Sequence, residues 1–294
     1  MALADLGRRA GVAGVAIPVI LALVYVGGWP LTLLVALLAA LGAAELCALA
    51  EARGARPLTT MAWVATAILV LGAGATPTLD GVAHWGTGAV LLTALLGMVA
   101  SLGVRWPGDG PLRAVSVTVL APVYVGVPLA FILLIRRIPE VEAWTHAEAL
   151  GWAGLAAVLY PLACTWIADA TAYFVGSTWG RRKLAPSMSP NKSVEGALAS
   201  LGGGAAVGAL WAVAVDIWFP GAAVTVVGAA VGGVLLSVGA QIGDLVESVL
   251  KREAGVKDSG GIFPGHGGAL DRLDALIFTV PMAYGILSWL GRLP

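Results

Sequence analysis

Ionisable and glycine residues crowd into one stretch of an otherwise apolar chain: Ser248, Lys251, Arg252, Lys257 and Asp258, then His266-Gly267-Gly268 and Asp271-Arg272-Leu273-Asp274. Charge beside a bilayer is costly, so a dense cluster between two hydrophobic runs marks a site. Carboxylates suit a hard cation, lysine and arginine suit phosphates, and glycine lets backbone N–H groups approach an anion closely. The chemistry these types fit is a metal-assisted reaction on phosphates. A flexible basic loop has the same composition and stands as the alternative.

The spacing sharpens this. Asp244, Glu247, Ser248 and Lys251 sit at i, i+3, i+4 and i+7 and share one face if the helix continues out of the membrane, though a solvated helix face has the same pattern. Asp244 directly follows Gln241-Ile242-Gly243, where the run is still apolar, and a carboxylate at that depth needs a cation or a metal as partner. Asp271 and Asp274 fall on the first turn of the next apolar run, where the helix dipole also favours acids, so capping is a second reading for each. Asp244 and Asp271 both stand where an apolar run meets water. If the loop between them folds back, the two carboxylates share a cation such as Mg²⁺, and a metal bridging phosphates stabilises charge in phosphoryl or nucleotidyl transfer. Lys251, Arg252, Lys257 and Arg272 form a set able to neutralise a triphosphate. His266 contacts a phosphate, moves a proton, or only orients its turn.

A second cluster holds Thr165, Asp169, Thr171 and Tyr173, then Gly180-Arg181-Arg182-Lys183 and Ser189-Pro190-Asn191-Lys192-Ser193-Val194-Glu195-Gly196. Asp169 is an acid within an apolar run, where a structural hydrogen bond to a neighbouring helix is the plain alternative to a functional role. Lys192-Ser193 lacks the preceding glycines of a Walker A loop, and Gly202 and Gly204 are followed by Val207, so no dinucleotide fingerprint is present. Glu45 lies near the end of the second apolar run and could face the bundle interior. His84 and His146 read as structural. Cys47 and Cys164 lie in apolar runs with no CxxC pair, and read as packing residues.

The elements that must position these residues follow from composition. The 294 residues are 59% hydrophobic and 12% charged, about half the charge of a soluble domain. The implied fold class is all-α, a polytopic integral membrane helical bundle. A spanning helix needs roughly 20 mostly apolar residues, and about nine runs qualify: 11–27, 30–50, 60–77, 84–104, 114–135, 149–175, 196–215, 221–244 and 273–291. The third is short and interrupted by glycine, and the sixth is long enough to continue past the membrane. Arg8 and Arg9 before the first run resemble a leader, but the run is read as the first membrane helix. With the N-terminus cytoplasmic, fourteen of the seventeen Lys and Arg residues fall on the cytoplasmic side, leaving Arg136, Arg137 and Arg292 outside. The polar loops at about 176–195 and 245–272 are then both cytoplasmic. Gly204/Gly208 and Gly228/Gly232 read as close helix packing, and Trp29, Trp106, Trp152 and Trp289 as interfacial anchors. The simplest organisation is a single membrane domain, 1–294, with N-terminal helices over 1–148 and the polar clusters in 149–294. The small-residue spacings permit a homodimer.

The stretch Ser248–Asp274 resembles the signature of the phosphatidate cytidylyltransferase (CDP-diacylglycerol synthase) family. Ser248, Lys251, Arg252, Lys257, Asp258, Gly260, Phe263, Pro264, His266, Gly267, Gly268, Asp271, Arg272 and Asp274 fall in register with it, and Ala269 replaces a larger aliphatic residue. Asp169-Ala170-Thr171-Ala172-Tyr173-Phe174 and Ser189–Gly196 are similar to two further segments of that family, with Asn191, Ser193 and Val194 in place of Lys, Thr and Trp. The resemblance covers about 165–294 and is weak before that. It implies CTP and phosphatidate as substrates, CDP-diacylglycerol and pyrophosphate as products, and a site at the cytoplasmic face of the inner cell membrane. It implies Mg²⁺ as cofactor, with a second cation permitted. Asp244 and Asp271 are the implied metal ligands, with Asp274 and Asp169 as helpers. Lys251, Arg272 and His266 serve catalysis, while Lys192, Ser193, Ser248, Arg252, Lys257, Asp258, Gly267, Gly268 and Asp169 serve substrate binding. The alternatives are a CTP-dependent lipid kinase of the polyprenol type, which would release CDP, and a transporter, which would place its acids at mid-membrane within inverted repeats.

Overall fold

The computed structural model describes residues 3–104, 110–138, 141, 143, 144, 150–220, 222, 224–262 and 267–291, with side chains described from residue 14 onward. Each of the nine apolar runs forms helix. In chain order these are α1 (Leu3–Val26), α2 (Gly28–Glu51), α3 (Thr59–Ala75), α4 (Leu79–Val104), α5 (Pro111–Ala121) continuing through a π turn (Pro122–Gly126) into α6 (Val127–Ile135), then α7 (Leu150–Trp179), α8 (Val194–Trp218), α9 (Val226–Ala254) and α10 (Leu270–Leu290). Seven described helices are long and apolar enough to cross a membrane, while Gly14–Val26 and Thr59–Ala75 are shorter apolar helices. The chain is a multi-pass membrane protein.

Three local features depart from the sequence expectation. The fifth run is not a uniform helix. Val127 N–H reaches Pro122 O, the i→i−5 pattern, in a stretch where Pro122 and Pro128 have no N–H to continue the regular ladder. The loop after α7 is not irregular throughout: β1 (Lys183–Ala185) pairs antiparallel with β2 (Ser189–Ser193), so the fold is nearly all-α rather than wholly so. Finally, α9 runs ten residues past the expected end at 244 and stops at a glycine. Gly255 takes φ 75°, Gly255 N–H bonds Arg252 O at 3.1 Å and Val256 N–H bonds Lys251 O at 2.9 Å, the paired bonds that close a helix C-terminus.

The chain divides into two compact units, one formed by 1–133 and 250–273, the other by 134–249 and 274–294. In the first, α2 and α3 pack closely, with Gly74 against Thr32, and Gly72 lies against the Trp85 ring of α4. Gly42 of α2 meets Leu270 and Leu273 at the start of α10. Ala39, Ala43 and Cys47 line the covered face of α2 and are fully buried.

The second unit is assembled on small residues. Gly196 and Gly203 of α8 lie against Ala172 O and Thr171 of α7, while Gly204 and Gly208 lie against the backbone of Gly233 and Ala229 in α9. Gly232 faces the Tyr160 hydroxyl and Ile286, and Gly228 faces Leu290. The close-packing reading of both glycine pairs therefore holds. Polar ties add direction: Tyr160 Oη donates to Ala229 O at 2.7 Å, Trp211 Nε1 to Ala156 O at 2.8 Å, and Gln241 Nε2 to Ser200 Oγ at 2.7 Å. Cys164, like Cys47, is buried. Trp29, Trp152 and Trp289 are exposed near helix ends, as anchors would be, and Trp106 lies outside the described residues.

Candidate active site

In the first unit the site is built around Asp271, one residue into α10. Lys251, on the last turn of α9, donates from Nζ to Asp271 Oδ1 at 2.7 Å. The second oxygen, Oδ2, accepts the backbone N–H of Ser259 at 2.9 Å and of Gly268 at 2.8 Å. Glycine is required here for space and for conformation: Gly267 has φ +80°, and a Cβ on it would stand 2.6 Å from Asp271 Oδ2. Both Lys251 and Asp271 are largely covered, with side-chain exposures of 13% and 5%. Lys251 and Arg252 also sit where the helix dipole favours cations, in the last turn of α9.

The remaining loop residues are more open. Arg252 donates to Val256 O at 3.0 Å, which holds the turn at the α9 terminus. Lys257, Asp258 and Arg272 are exposed. Arg272 follows Asp271 on the first turn of α10. His266 lies outside the described residues.

A residue from far upstream completes this loop. Glu45 of α2 accepts Ser259 Oγ at 2.9 Å, Ala269 N–H at 2.9 Å and Leu270 N–H at 2.8 Å. Arg53, just past the end of α2, donates to the Glu253 carbonyl. The sequence offered one signal for Glu45, an acid in an apolar run, and none for Ser259.

In the second unit Lys192 and Asp244 pair at 2.6 Å. Ser248 Oγ donates to Asp244 Oδ1 at 3.3 Å, the i, i+4 contact that the helical spacing predicts. Asp169 lies within electrostatic reach of Asp244, Asp274 and Lys192. Asp274 Oδ1 accepts Ala275 N–H at 2.7 Å. This unit therefore gathers three carboxylates around one lysine. Ser193, read from sequence as a substrate group, is buried and caps α8, accepting Gly196 N–H at 3.1 Å. Glu195 accepts the N–H groups of Arg181 at 3.0 Å and Arg182 at 3.2 Å, fixing the entry to the hairpin.

Asp244 and Asp271 thus fall in different compact units, and each has its own lysine. Among the described residues no three His, Cys, Asp or Glu side chains form a ready metal cage. Mg²⁺ characteristically binds through one or two carboxylates plus substrate phosphates and keeps several waters. Asp169, Asp244 and Asp274 are hard oxygen donors of the kind such a cation takes, and Lys192 pairs with Asp244.

Comparison with known proteins shows the family. The model of the cytidylyltransferase family matches residues 7–290. A phosphatidate cytidylyltransferase of Synechocystis sp. is 33% identical over 279 residues, covering 89% of both chains. One from Bacillus subtilis is 36% identical over 169 residues, 58% of this chain and 56% of that protein. One from Brucella abortus is 44% identical over 131 residues, 45% of this chain and 46% of that protein. With a match running nearly end to end, the chain belongs to the cytidylyltransferase family.

Proposed function

We propose that this protein is a phosphatidate cytidylyltransferase, converting CTP and phosphatidate to CDP-diacylglycerol and pyrophosphate. The observation that carries the reading is the similarity to a phosphatidate cytidylyltransferase over 89% of both chains. A phosphate oxygen of the lipid attacks the α-phosphorus of CTP. The bond from that phosphorus to the oxygen bridging to the β-phosphate breaks, and pyrophosphate leaves with the electron pair. Both reactants are anions, so cations set the rate.

The protein's own groups divide this work. Lys192, Lys251, Arg252, Lys257 and Arg272 counter phosphate charge, and Ser248 and Asp258 supply polar contacts. Gly267 and Gly268 shape the turn at the phosphate site, and the Gly268 N–H holds Asp271 Oδ2. Asp244 and Asp271, with Asp274 and Asp169 as further oxygens, would hold Mg²⁺, which would supply charge neutralisation at the triphosphate. Each of the two principal carboxylates rests against a lysine and orients it, Asp244 against Lys192 and Asp271 against Lys251. No side chain need act as a covalent nucleophile, because the lipid phosphate is one. His266 is the remaining candidate for proton transfer or phosphate contact. The bias of Lys and Arg supports a cytoplasmic position for the polar loops at the inner membrane, where CTP arrives from water and phosphatidate from the leaflet.

The decisive experiment is turnover by the purified full-length protein with phosphatidate and CTP labelled in the α-phosphate. Label in a chloroform-soluble CDP-diacylglycerol, with one pyrophosphate released per lipid, is the expected result. Release of labelled CDP with a phosphorylated lipid would instead identify a kinase and overturn the reading.

A further inference from the structure

Glu45 is a buried carboxylate, 6% exposed, on an apolar helix and outside every group assigned above to metal or phosphate. Burying a carboxylate is costly unless donors meet it. Here three do: Ser259 Oγ and Leu270 N–H on Oε2, and Ala269 N–H on Oε1. Two of the three are the free N–H groups that open α10. Ala269, the residue before that helix, has no side-chain oxygen with which to cap it, so α2 supplies the cap that the local sequence lacks. Gly260 and Gly268 lie so close that a Cβ on either would strike the Glu45 carboxylate. The loop is folded around this one group.

The contacts continue to the site. Ser259 Oγ, which donates to Glu45, accepts the Asp271 N–H at 3.2 Å, and Ser259 N–H donates to Asp271 Oδ2. Asp271 in turn holds Lys251. We propose that Glu45 is a positioning residue for the reaction. It fixes Ser259 and the Gly268–Leu270 turn, and through them the Asp271–Lys251 pair. The kinetic part of this inference rests on the cytidylyltransferase reading; the ordering of the loop rests on geometry alone. Both carboxylate oxygens and the negative charge are needed, because all three partners are donors. A glutamine in the same place would turn an NH₂ group toward at least one of them.

The test compares the full-length protein with E45Q and S259A in detergent micelles, using steady-state kinetics and hydrogen exchange read by mass spectrometry. In folded, monodisperse E45Q, kcat falls about tenfold to a hundredfold, the scale of a small misplacement of reacting groups, while KM for CTP stays within about twofold. Exchange quickens in peptides covering 256–262 and 267–275 and is unchanged elsewhere. The double variant is no slower than E45Q, because both residues act through one chain of contacts. Either readout unchanged in folded E45Q overturns the proposal, as does a lower Tm with unaltered kcat. If E45Q does not fold, S259A decides on the same two readouts. Hydrogen exchange needs no turnover, so an inactive parent protein would count against the reaction assigned here and leave the loop test standing.

Discussion

Glu45 Oε2 accepts the backbone N–H of Leu270 at 2.8 Å across 225 positions of sequence. The bond joins the C-terminal part of an apolar helix to the start of the helix that carries Asp271. It ties the Gly268–Leu270 turn, and with it Ser259, to one buried carboxylate. The glycines allow close approach, and the buried carboxylate supplies the fixed point they approach. The two lysine–aspartate pairs are nearly equal in length, 2.7 Å for Lys251–Asp271 and 2.6 Å for Lys192–Asp244. They differ in burial, and burial decides what each is worth.

Asp271→Asn keeps the shape of the side chain and removes its charge. The amide NH₂ must then face either the Lys251 ammonium or the two N–H groups of Ser259 and Gly268, all of them donors. Formation of CDP-diacylglycerol should fall by about two to three orders of magnitude, the usual scale for losing a preorganised electrostatic contact. Stability should fall by about 1–3 kcal/mol, the cost of an unmet buried polar group. Turnover and thermal unfolding of the same preparation check both; near-parental activity would remove Asp271 from the reaction.

The helices were legible because hydropathy is a local property, and each of the nine runs carries its own signal. The loop signature was legible because its residue types are dense and unusual for their surroundings. The hairpin at 183–193 was not, since strands of three and five residues are too short to show a hydrophobic alternation. The family resemblance of Ser189–Gly196 implies a substrate role for Ser193, and its position as N-cap of α8, accepting the Gly196 N–H, was not legible in the sequence. Glu45 could be flagged only as an acid needing a partner. Its partners stand 214 to 225 residues away, and no local pattern identifies them.

Lys192→Met and Lys251→Met should separate in stability. The Lys192–Asp244 pair is 25% and 36% exposed, and an open pair contributes about 0–1 kcal/mol, so Lys192→Met should unfold within a few degrees of the parent. Lys251→Met strands a carboxylate that is only 5% exposed, although two backbone N–H groups still meet it, and its Tm should fall further. Both should lose turnover, because both cations face phosphates in the proposed reaction. Equal melting temperatures in the two variants would contradict this ranking.

Gly204→Ala tests the packing of the second unit independently of chemistry. Its Cβ would be driven into Ser237 Oγ and the Gly233 carbonyl of α9. Backbone does not yield as a flexible side chain does, so overpacking should cost about 1–3 kcal/mol. Gly202→Ala is the control, because a Cβ there meets nothing within 4 Å, and alanine should stabilise the helix slightly. Thermal unfolding in one detergent ranks the two, with Gly204→Ala melting lower and Gly202→Ala at or above the parent.

Chelation tests the carboxylates of the second unit. Asp169, Asp244 and Asp274 share a neighbourhood with Lys192, and mutual repulsion among them is relieved by a divalent cation. Removing divalent cations with EDTA should abolish product formation, and Mg²⁺ should restore it. Asp244→Asn should raise the Mg²⁺ concentration for half-maximal rate by about tenfold, equivalent to roughly 1.4 kcal/mol of lost binding. Asp169→Asn should raise it less, since Asp169 joins the others through space without a shared hydrogen bond. A Mg²⁺ titration of the three proteins at saturating CTP gives the order directly. An unchanged midpoint in Asp244→Asn would move the metal away from Asp244 and leave that residue as the anchor of Lys192.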